Sequence, residues 1–375
     1  MNVQIFDQEL TRMISSTVPS DWPSPGSFYS SPNWLRFVDS DGLGRAVYVV
    51  EDGAGAVAHL APEDGHPDYR FETVLNSEDD RARLLLGGRR GFCSPVVGSR
   101  RSPAVLAGLI GAALEAFPEV NGAWWWPYLP SEDVPHVVAA ARSLTGETPG
   151  VHLVDADCIV QQIPSDAPFG SSLTKKQRRT NWHREWRRFV ESGLEVRQVS
   201  IDEIAACGAP LLQQVERKYG NEHPVERLEA SLYRQARLLS EEAVAHAVFD
   251  GSRMTGYSLA YRWHQELTVR LVGLDYAALR DAAEYAVLLM HGPVRFAQEN
   301  GIESLHLGTR SYEAKCRRGA RVRALWVVAP GTTTSEVAIK ERAGSILAEL
   351  PAREAAALRS EIDAVQASVS TGDGR

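Results

Sequence analysis

The sequence predicts an α/β (α+β) protein of two tandem domains, each with a mixed, mostly antiparallel sheet flanked by helices. Its 375 residues suffice for two compact domains. Short β-rich runs and helical patterns also follow one another in both halves of the chain. Charge divides the halves: residues 1–170 hold 11 Arg, no Lys and 22 acidic residues, and residues 171–323 hold 24 basic and 19 acidic residues. We place the domains at 1–165 and 166–375, the second ending in a helical tail.

Composition excludes several classes of protein. Hydrophobic residues make up 44 % and charged residues 23 %, which is typical of globular domains. No apolar stretch is long enough to span a membrane, and the acidic N-terminus lacks the apolar core of a secretory signal. We therefore expect a cytoplasmic protein whose four widely spaced cysteines stay reduced. The ten histidines show no HxH or HExxH spacing, so we expect no metal and no bound cofactor.

The first domain begins with a capped helix in SSPNWLRFVDS, where Ser30 or Ser31 is the cap and Pro32 lies in the first turn. The runs RAVYVVE and GAVAHLA, joined by DGA, predict a hairpin. Next come a buried helix over 103–117, the strand GAWWWPYL, a helix over 131–142 and the strand VHLVDADCIVQ. The segment IPSDAPFGSS is the predicted linker.

The second domain shows a clearer order of elements. A basic helix, TKKQRRTNWHREWRRFVESG, stops at Gly193 and precedes the strand LEVRQV. Starting from the strand LEVRQV, the predicted elements follow the order β-α-α-β-β-β-α-β-α-β. They are helices over 202–219 and 224–240, strands over 243–250, 254–263 and 266–275, a helix over 280–299, the strand SLHLG, the short helix SYEAKCRRG and the strand VRALWVVAP. Residues 334–367 are Ala/Glu-rich and predict a helical tail.

This order is similar to the GNAT acyltransferase fold. Three segments resemble its FemAB-like branch, in which two GNAT-like domains lie in tandem; the resemblance covers most of residues 28–330. They are FYSSPNWLRFV, LTKKQRRTNWHREWRRFVESGLEVR and GLDYAALRDAAEYAVLLMHGPVRFAQENGIESLHLGTRSYEAKCRRGA. The resemblance implies an acyltransferase that forms an amide bond when an acceptor amine attacks an activated acyl ester. The acceptor would be a small-molecule or peptide amine, and the oligomeric state stays open.

The absence of one motif indicates which acyl donor to expect. Acetyl-CoA enzymes of this superfamily usually carry a Q/R-x-x-G-x-G/A turn whose backbone N–H groups bind pyrophosphate. The matching segment here, GLDYAALRDAAEY, lacks that glycine spacing. This favours aminoacyl-tRNA as donor, with acyl-CoA as the alternative. A non-catalytic pseudo-transferase that only binds a ligand is a second alternative.

The basic helix supplies candidate donor-binding residues. Over residues 175–188 it carries a run of cations against a single acidic residue, Glu185, and Trp182 and Trp186 share one face at i and i+4. We interpret it as a helix that tracks tRNA phosphates, with the Trp pair docking it to the protein. A solvated basic helix is the plainer interpretation. The residues assigned to the donor here are Lys175, Lys176, Arg178 and Arg179.

The segment GTRSYEAKCRRGA contains further candidates. The FemAB-like pattern has a lysine in a comparable place, and Lys315 matches it. Its charge could stabilise the oxyanion of the tetrahedral intermediate or hold a donor phosphate. Arg310, Arg317 and Arg318 could grip the terminal nucleotides of the donor or a substrate carboxylate. The alternative is a short helix whose basic end is favoured by the helix dipole.

The strand ELTVRLVGLDY is the equivalent of the fourth GNAT strand, which splays from its neighbour in that fold. Gly273 would suit a bulge or a close backbone approach there. Tyr276, at the end of the strand, is a candidate catalytic residue that protonates a leaving group or orients the amine. Arg270, His223 and Tyr257 are assigned to the acceptor, although the alternation along the strand also fits a solvent-facing Arg270.

Overall fold

The fold is known from a computed structural model, which describes residues 3–7, 10–24, 26–60, 66–79 and 81–370. The strands of these residues, numbered in chain order, are β1 Val3–Asp7, β2 Leu10–Ser15, β3 Arg45–Glu51, β4 Ala54–Leu60, β5 Leu84–Leu86, β6 Val97–Gly98, β7 Trp124–Pro130, β8 Gly150–Gln161, β9 Glu195–Val199, β10 Ala243–Asp250, β11 Arg253–Trp263, β12 Glu266–Leu274, β13 Ser304–His306 and β14 Arg321–Ala329.

The helices flank these strands. They are α1 Pro32–Asp39, α2 Phe71–Val74, α3 Pro103–Glu115, α4 Val134–Thr145, α5 Phe169–Ser172, α6 Lys176–Glu191, α7 Ile201–Cys207, α8 Ala209–Lys218, α9 Val225–Leu239, α10 Glu284–Ala286, α11 Gly292–Glu299, α12 Tyr312–Cys316, α13 Glu336–Ala348 and α14 Ala352–Ser370. A π turn over Val287–His291 joins α10 to α11. No helix within the described ranges has the length and apolar character that crossing a membrane requires.

The chain divides into two units, residues 1–157 with 322–375 and residues 158–321. The predicted domains, 1–165 and 166–375, differ from these units because strands far apart in the sequence pair with each other. Strand β14 pairs antiparallel with β7 in the first unit, with Leu325 opposite Pro130. The end of β8 pairs antiparallel with β13 in the second unit. The described pairings are thus mostly antiparallel in both units, and they include a parallel pair in each, β5 with β7 and β12 with β13.

Several elements differ from the predicted ones. Residues 202–219 form two helices, α7 and α8, because Pro210 has no N–H to continue the first helix and instead lies in the first turn of the second. The helix predicted over 280–299 starts at Glu284 and contains the π turn. The tail is broken in two before Ala352, next to Pro351. Strands β1 and β2 were not predicted.

The parallel pair of the second unit separates early. Strand β12 pairs with β13 only from Glu266 opposite Ser304 to Thr268 opposite His306, yet it continues to Leu274. Beyond β13 the chain follows β8 instead: Leu307 N–H donates to the Cys158 carbonyl at 2.8 Å. The pairing of β12 with β13 therefore ends at Thr268, and the second half of β12 continues beyond this neighbour.

Strand β12 contains a bulge. Its pairing with β11 shifts between Leu259 opposite Leu271 and Ala260 opposite Val269, so Arg270 is the additional residue. At Gly273 the sequence suggested either a bulge or a close backbone approach. The structure shows the close approach. A Cβ atom at Gly273 would lie 2.3 Å from Cε1 of the buried Tyr257 ring. The glycine is therefore required by packing.

Replacing this glycine tests the packing. Gly273→Ala is expected to lower the free energy of unfolding by about 1–3 kcal/mol, because the methyl group overpacks the site. Gly344→Ala is the matched control, since a Cβ there meets nothing within 4 Å and lies in α13. Chemical denaturation of both variants measures the difference. Equal stability of the two variants would contradict the close approach.

Candidate functional site

A cluster of hydroxyl groups lies where β12 and β13 diverge. Ser311 follows β13 in a turn in which Arg310 and Ser311 both have left-handed backbone angles, φ 63° and 50°. The Tyr219 hydroxyl, at the end of α8, lies 3.4 Å from Ser311 Oγ. The Ser311 side chain also acts on Tyr285, on α10, where it opposes the rise of the Tyr285 pKa. We call Tyr219, Tyr285 and Ser311 the hydroxyl cluster.

The environment of Tyr285 keeps the hydroxyl of this residue protonated. Burial, followed by the nearby Tyr219, raises the pKa of Tyr285 to about 12, although Arg318 and Ser311 oppose the increase. The Tyr285 hydroxyl therefore retains its proton at neutral pH and can both donate and accept a hydrogen bond. Such a chain of hydroxyls can move a proton without becoming charged itself.

Tyr276, predicted as catalytic, is electrostatically coupled to Tyr285 of this cluster. It is half-buried just after β12, and its backbone N–H donates to Gln214 Oε1 at 3.0 Å. The Lys218 ammonium lies 4.9 Å from the centre of its ring. The hydrogen bond to Gln214 therefore fixes the backbone of Tyr276, and the Lys218 ammonium group lies against its ring.

Lys315 is 3 % exposed, and its ammonium group donates to the carbonyls of Gly308 and Thr309 at 2.9 and 2.7 Å. These carbonyls end the β13 segment and begin the turn that carries Ser311. These two bonds therefore assign Lys315 to holding this turn. The sequence-based assignment to the oxyanion stays a prediction.

Arg318 forms a bidentate ion pair with Glu185 of α6, at 2.7 and 3.1 Å. His291 Nε2 lies 3.4 Å from the same carboxylate. Burial would raise the pKa of Glu185, but the hydrogen bonds from His291 and Arg318 and the Arg318 charge lower it below its ordinary value. Burial lowers the pKa of His291, aided by the Arg318 charge and opposed by Glu185. Arg318, predicted to grip the donor, is thus engaged with α6.

Helix α6 packs through the predicted tryptophan face. Trp182 stacks on His291, with ring centres 3.8 Å apart, and Trp186 lies 5.7 Å from the same ring. Lys175 and Lys176 are exposed. Arg178 and Arg179 are half-buried, and Arg179 donates to the Leu173 carbonyl at 2.8 Å. The basic residues of this helix therefore fall into two sets. Arg178 and Arg179 face inward near the start of the helix. The second set, which we call the outward cations, consists of the exposed Lys175, Lys176, Arg184 and Arg187.

The remaining predicted residues are dispersed. Arg310 is exposed beside Ser311, whereas the exposed Arg317 pairs with Glu313 at 2.5 Å. Arg270 is half-buried at the bulge of β12, and His223 is half-buried in the loop before α9. Tyr257 is fully buried, which raises its pKa. Its ring fills the space beside Gly273, so the structure keeps this predicted acceptor contact away from solvent.

Sequence reasoning missed the hydroxyl cluster. Ser311 and Tyr285 lie inside segments that the sequence had marked, GTRSYEAKC and GLDYAALRDAAEY, but no spacing distinguished them from their neighbours. Tyr219 had no signal at all, because α8 meets the turn only in three dimensions. For metals, the described part of the chain holds no group of three or more His, Cys, Asp or Glu placed to bind an ion.

No protein-family model matches the sequence, and no curated protein matches it. Solved structures do. FemX aligns with a TM-score of 0.56 at 12 % identity, covering 82 % of this chain and 93 % of FemX. A conserved protein of unknown function from Bacteroides thetaiotaomicron aligns with a TM-score of 0.55 at 14 % identity, covering 84 % of this chain and 94 % of that protein. L-PGS from Bacillus licheniformis aligns with a TM-score of 0.50 at 12 % identity, covering 88 % of this chain and 98 % of L-PGS.

At these identities the likeness is one of fold. It confirms the predicted fold class, a GNAT-like α/β protein with mostly antiparallel strands flanked by helices, similar in fold to FemX and L-PGS.

The Glu185 network makes stability depend on pH. Glu185→Gln is expected to lower the free energy of unfolding at pH 7 by about 1.5–3 kcal/mol, because Arg318 and His291 lose a charged acceptor. The folded pKa of Glu185 is lowered, so its contribution is complete above the unfolded value of about 4.3 and is lost as pH falls through the folded value. Denaturation between about pH 3 and 7 should show the difference from wild type shrinking toward low pH.

Glu191→Gln is the control for this experiment, since Glu191 is exposed at the end of the same helix. It should change stability by less than about 0.5 kcal/mol at any of these pH values. A difference between Glu185→Gln and wild type that stays constant across the range would argue against the ion pair.

Proposed function

We propose that this protein is a GNAT-fold acyltransferase that forms an amide bond by attack of an acceptor amine on an activated acyl ester. The observation that carries the proposal is the divergence of β12 and β13 beside the hydroxyl cluster. We assign the acyl chain to the side of β12 that β13 no longer pairs with, and the cluster provides polar groups at its end. The shared fold with FemX and L-PGS supports the same class of reaction.

The proposed reaction needs little acid–base machinery. The neutral amine attacks the acyl carbon, the C–N bond forms, and the C–O bond of the ester breaks. Backbone N–H groups around the β12 bulge polarise the carbonyl. The proton released by the new amide nitrogen passes along Ser311 and Tyr285 to the departing alkoxide. Because the ester is already activated, alignment of the two reactants supplies most of the reduction in the activation free energy, about 7–11 kcal/mol at best.

For the donor we propose aminoacyl-tRNA, which would place the reaction in the cytoplasm. The outward cations of α6 support a phosphate contact, and the segment over 273–285 offers no glycine-rich turn for a pyrophosphate. Acyl-CoA is the alternative donor. A protein that binds its ligand without catalysis is the second alternative.

The donor assay distinguishes these three functions. The protein is incubated with candidate amines and either charged tRNA or acyl-CoA, and products are sought by their mass gain. We expect an amide with charged tRNA, and we expect ribonuclease treatment of the donor to abolish it. Product that forms from acyl-CoA and survives ribonuclease would establish the alternative donor. Ligand binding with no product from either donor would leave the non-catalytic function.

Substitutions in the hydroxyl cluster test the proposed proton path. Tyr285→Phe and Ser311→Ala are each expected to lower kcat about 10²-fold or more with little change in KM, because both remove a hydroxyl and little volume. Tyr233→Phe, at an exposed position on α9, is the control and should leave kcat unchanged. Steady-state kinetics with the donor identified above gives the comparison. Unchanged turnover in both cluster variants would remove the cluster from the mechanism.

A further inference from the structure

The second unit contains a cavity of about 510 Å³ that the hydroxyl cluster does not line. It lies between α5, α6 and α11 and reaches strands β9 and β10. This volume falls in the range of small-molecule sites, about 300–1,000 Å³. Four aromatic side chains contribute to its wall: Phe169, Trp182, Trp186 and Phe296.

A buried histidine in this wall has an unused polar atom. His246 is 7 % exposed, and its Nδ1 has no hydrogen-bond partner among the described residues. Burial lowers the pKa of His246 to about 4, so the ring is neutral at neutral pH and each nitrogen can donate or accept according to its tautomer. Because buried polar atoms are nearly always paired, the imidazole is suited to a ligand that enters the cavity.

One cation at the cavity is also available. Arg197 is exposed on β9, with its guanidinium 3.9 Å from the centre of the Phe249 ring, and it has no acidic partner in the described part of the chain. The other arginine of the lining, Arg295, pairs with Glu299 at 2.9 Å. Arg197 is therefore the group that could meet a phosphate at the edge of the cavity.

We propose that this cavity binds a nucleotide, with the base against the aromatic wall and His246 and the phosphate at Arg197. A nucleobase is flat, and its edge carries donors and acceptors that a neutral imidazole can meet. Aromatic side chains combined with a cation are the usual means of holding an unpaired base and its phosphate. The proposal goes beyond acyl transfer, since it requires no reaction, and the nucleotide can be free or belong to single-stranded RNA.

Equilibrium dialysis of the full chain tests the site. The probes are the four nucleoside monophosphates, their nucleosides and a short single-stranded RNA. Monophosphates should bind about five- to tenfold more tightly than nucleosides. His246→Phe should weaken both about tenfold because the ring nitrogens are lost. Arg197→Gln should remove only the advantage of the phosphate, and Arg227→Gln, at an exposed position on α9, should change nothing.

The outcomes separate the sources of the nucleotide. Tighter binding of the RNA than of monophosphates, lost in the variants, identifies an RNA strand; binding of monophosphates alone identifies a free nucleotide. Absence of binding at millimolar concentration, or full affinity in both variants, overturns the proposal. Arg197→Gln changes an exposed side chain, so it keeps the test valid if His246→Phe does not fold. Binding is measured without acyl donor, so its result stands apart from that of the transfer assay.

Discussion

The site depends on one constraint, the short parallel pairing of β12 with β13. The chain after His306 hydrogen-bonds to Cys158 on β8 and leaves β12 without this neighbour over its second half. A sheet that stayed paired would bond the second half of β12 on this side as well. The turn over 308–311 instead starts against β8, where the Cys158 N–H donates to the Gly308 carbonyl at 3.1 Å. Lys315 holds this turn, because its ammonium group donates to the carbonyls of Gly308 and Thr309.

The basic residues of the second unit divide by direction. Arg318 and Lys315 point inward and connect the turn and α12 to Glu185 of α6 and to the end of β13. Lys175 and Lys176 point outward and stay in solvent. A charge run therefore has two physical roles here: the inward cations fix the helix and the turn, and the outward cations are available to a partner. Neither the count of charges nor their spacing distinguishes these roles.

The sequence predicted the order and type of most elements, because periodicity, caps and Gly/Pro breaks are local signals. It could not predict the division into units, since β14 pairs with β7 across nearly two hundred residues and no local pattern records such a pairing. The hydroxyl cluster escaped for the same reason: Tyr219, Tyr285 and Ser311 come from three separate elements. The bulge at Arg270 and the packing role of Gly273 depend on the partner strand and on Tyr257, which sequence spacing does not reveal.

The two units contain the same local motif but fill it differently. In the first unit β5 and β7 run parallel with α3 between them in the chain, and the facing residues include Trp124 and Trp125, which are 0 % and 2 % exposed. In the second unit the facing residues of the parallel pair include Leu267 and Leu305, both 0 % exposed. Apolar side chains therefore bury both parallel pairs, with indoles in the first unit and leucines in the second. The half-buried Tyr276 and Ser311 lie beyond the ends of β12 and β13, so the polar groups of the proposed chemistry stand outside the packed part of the motif.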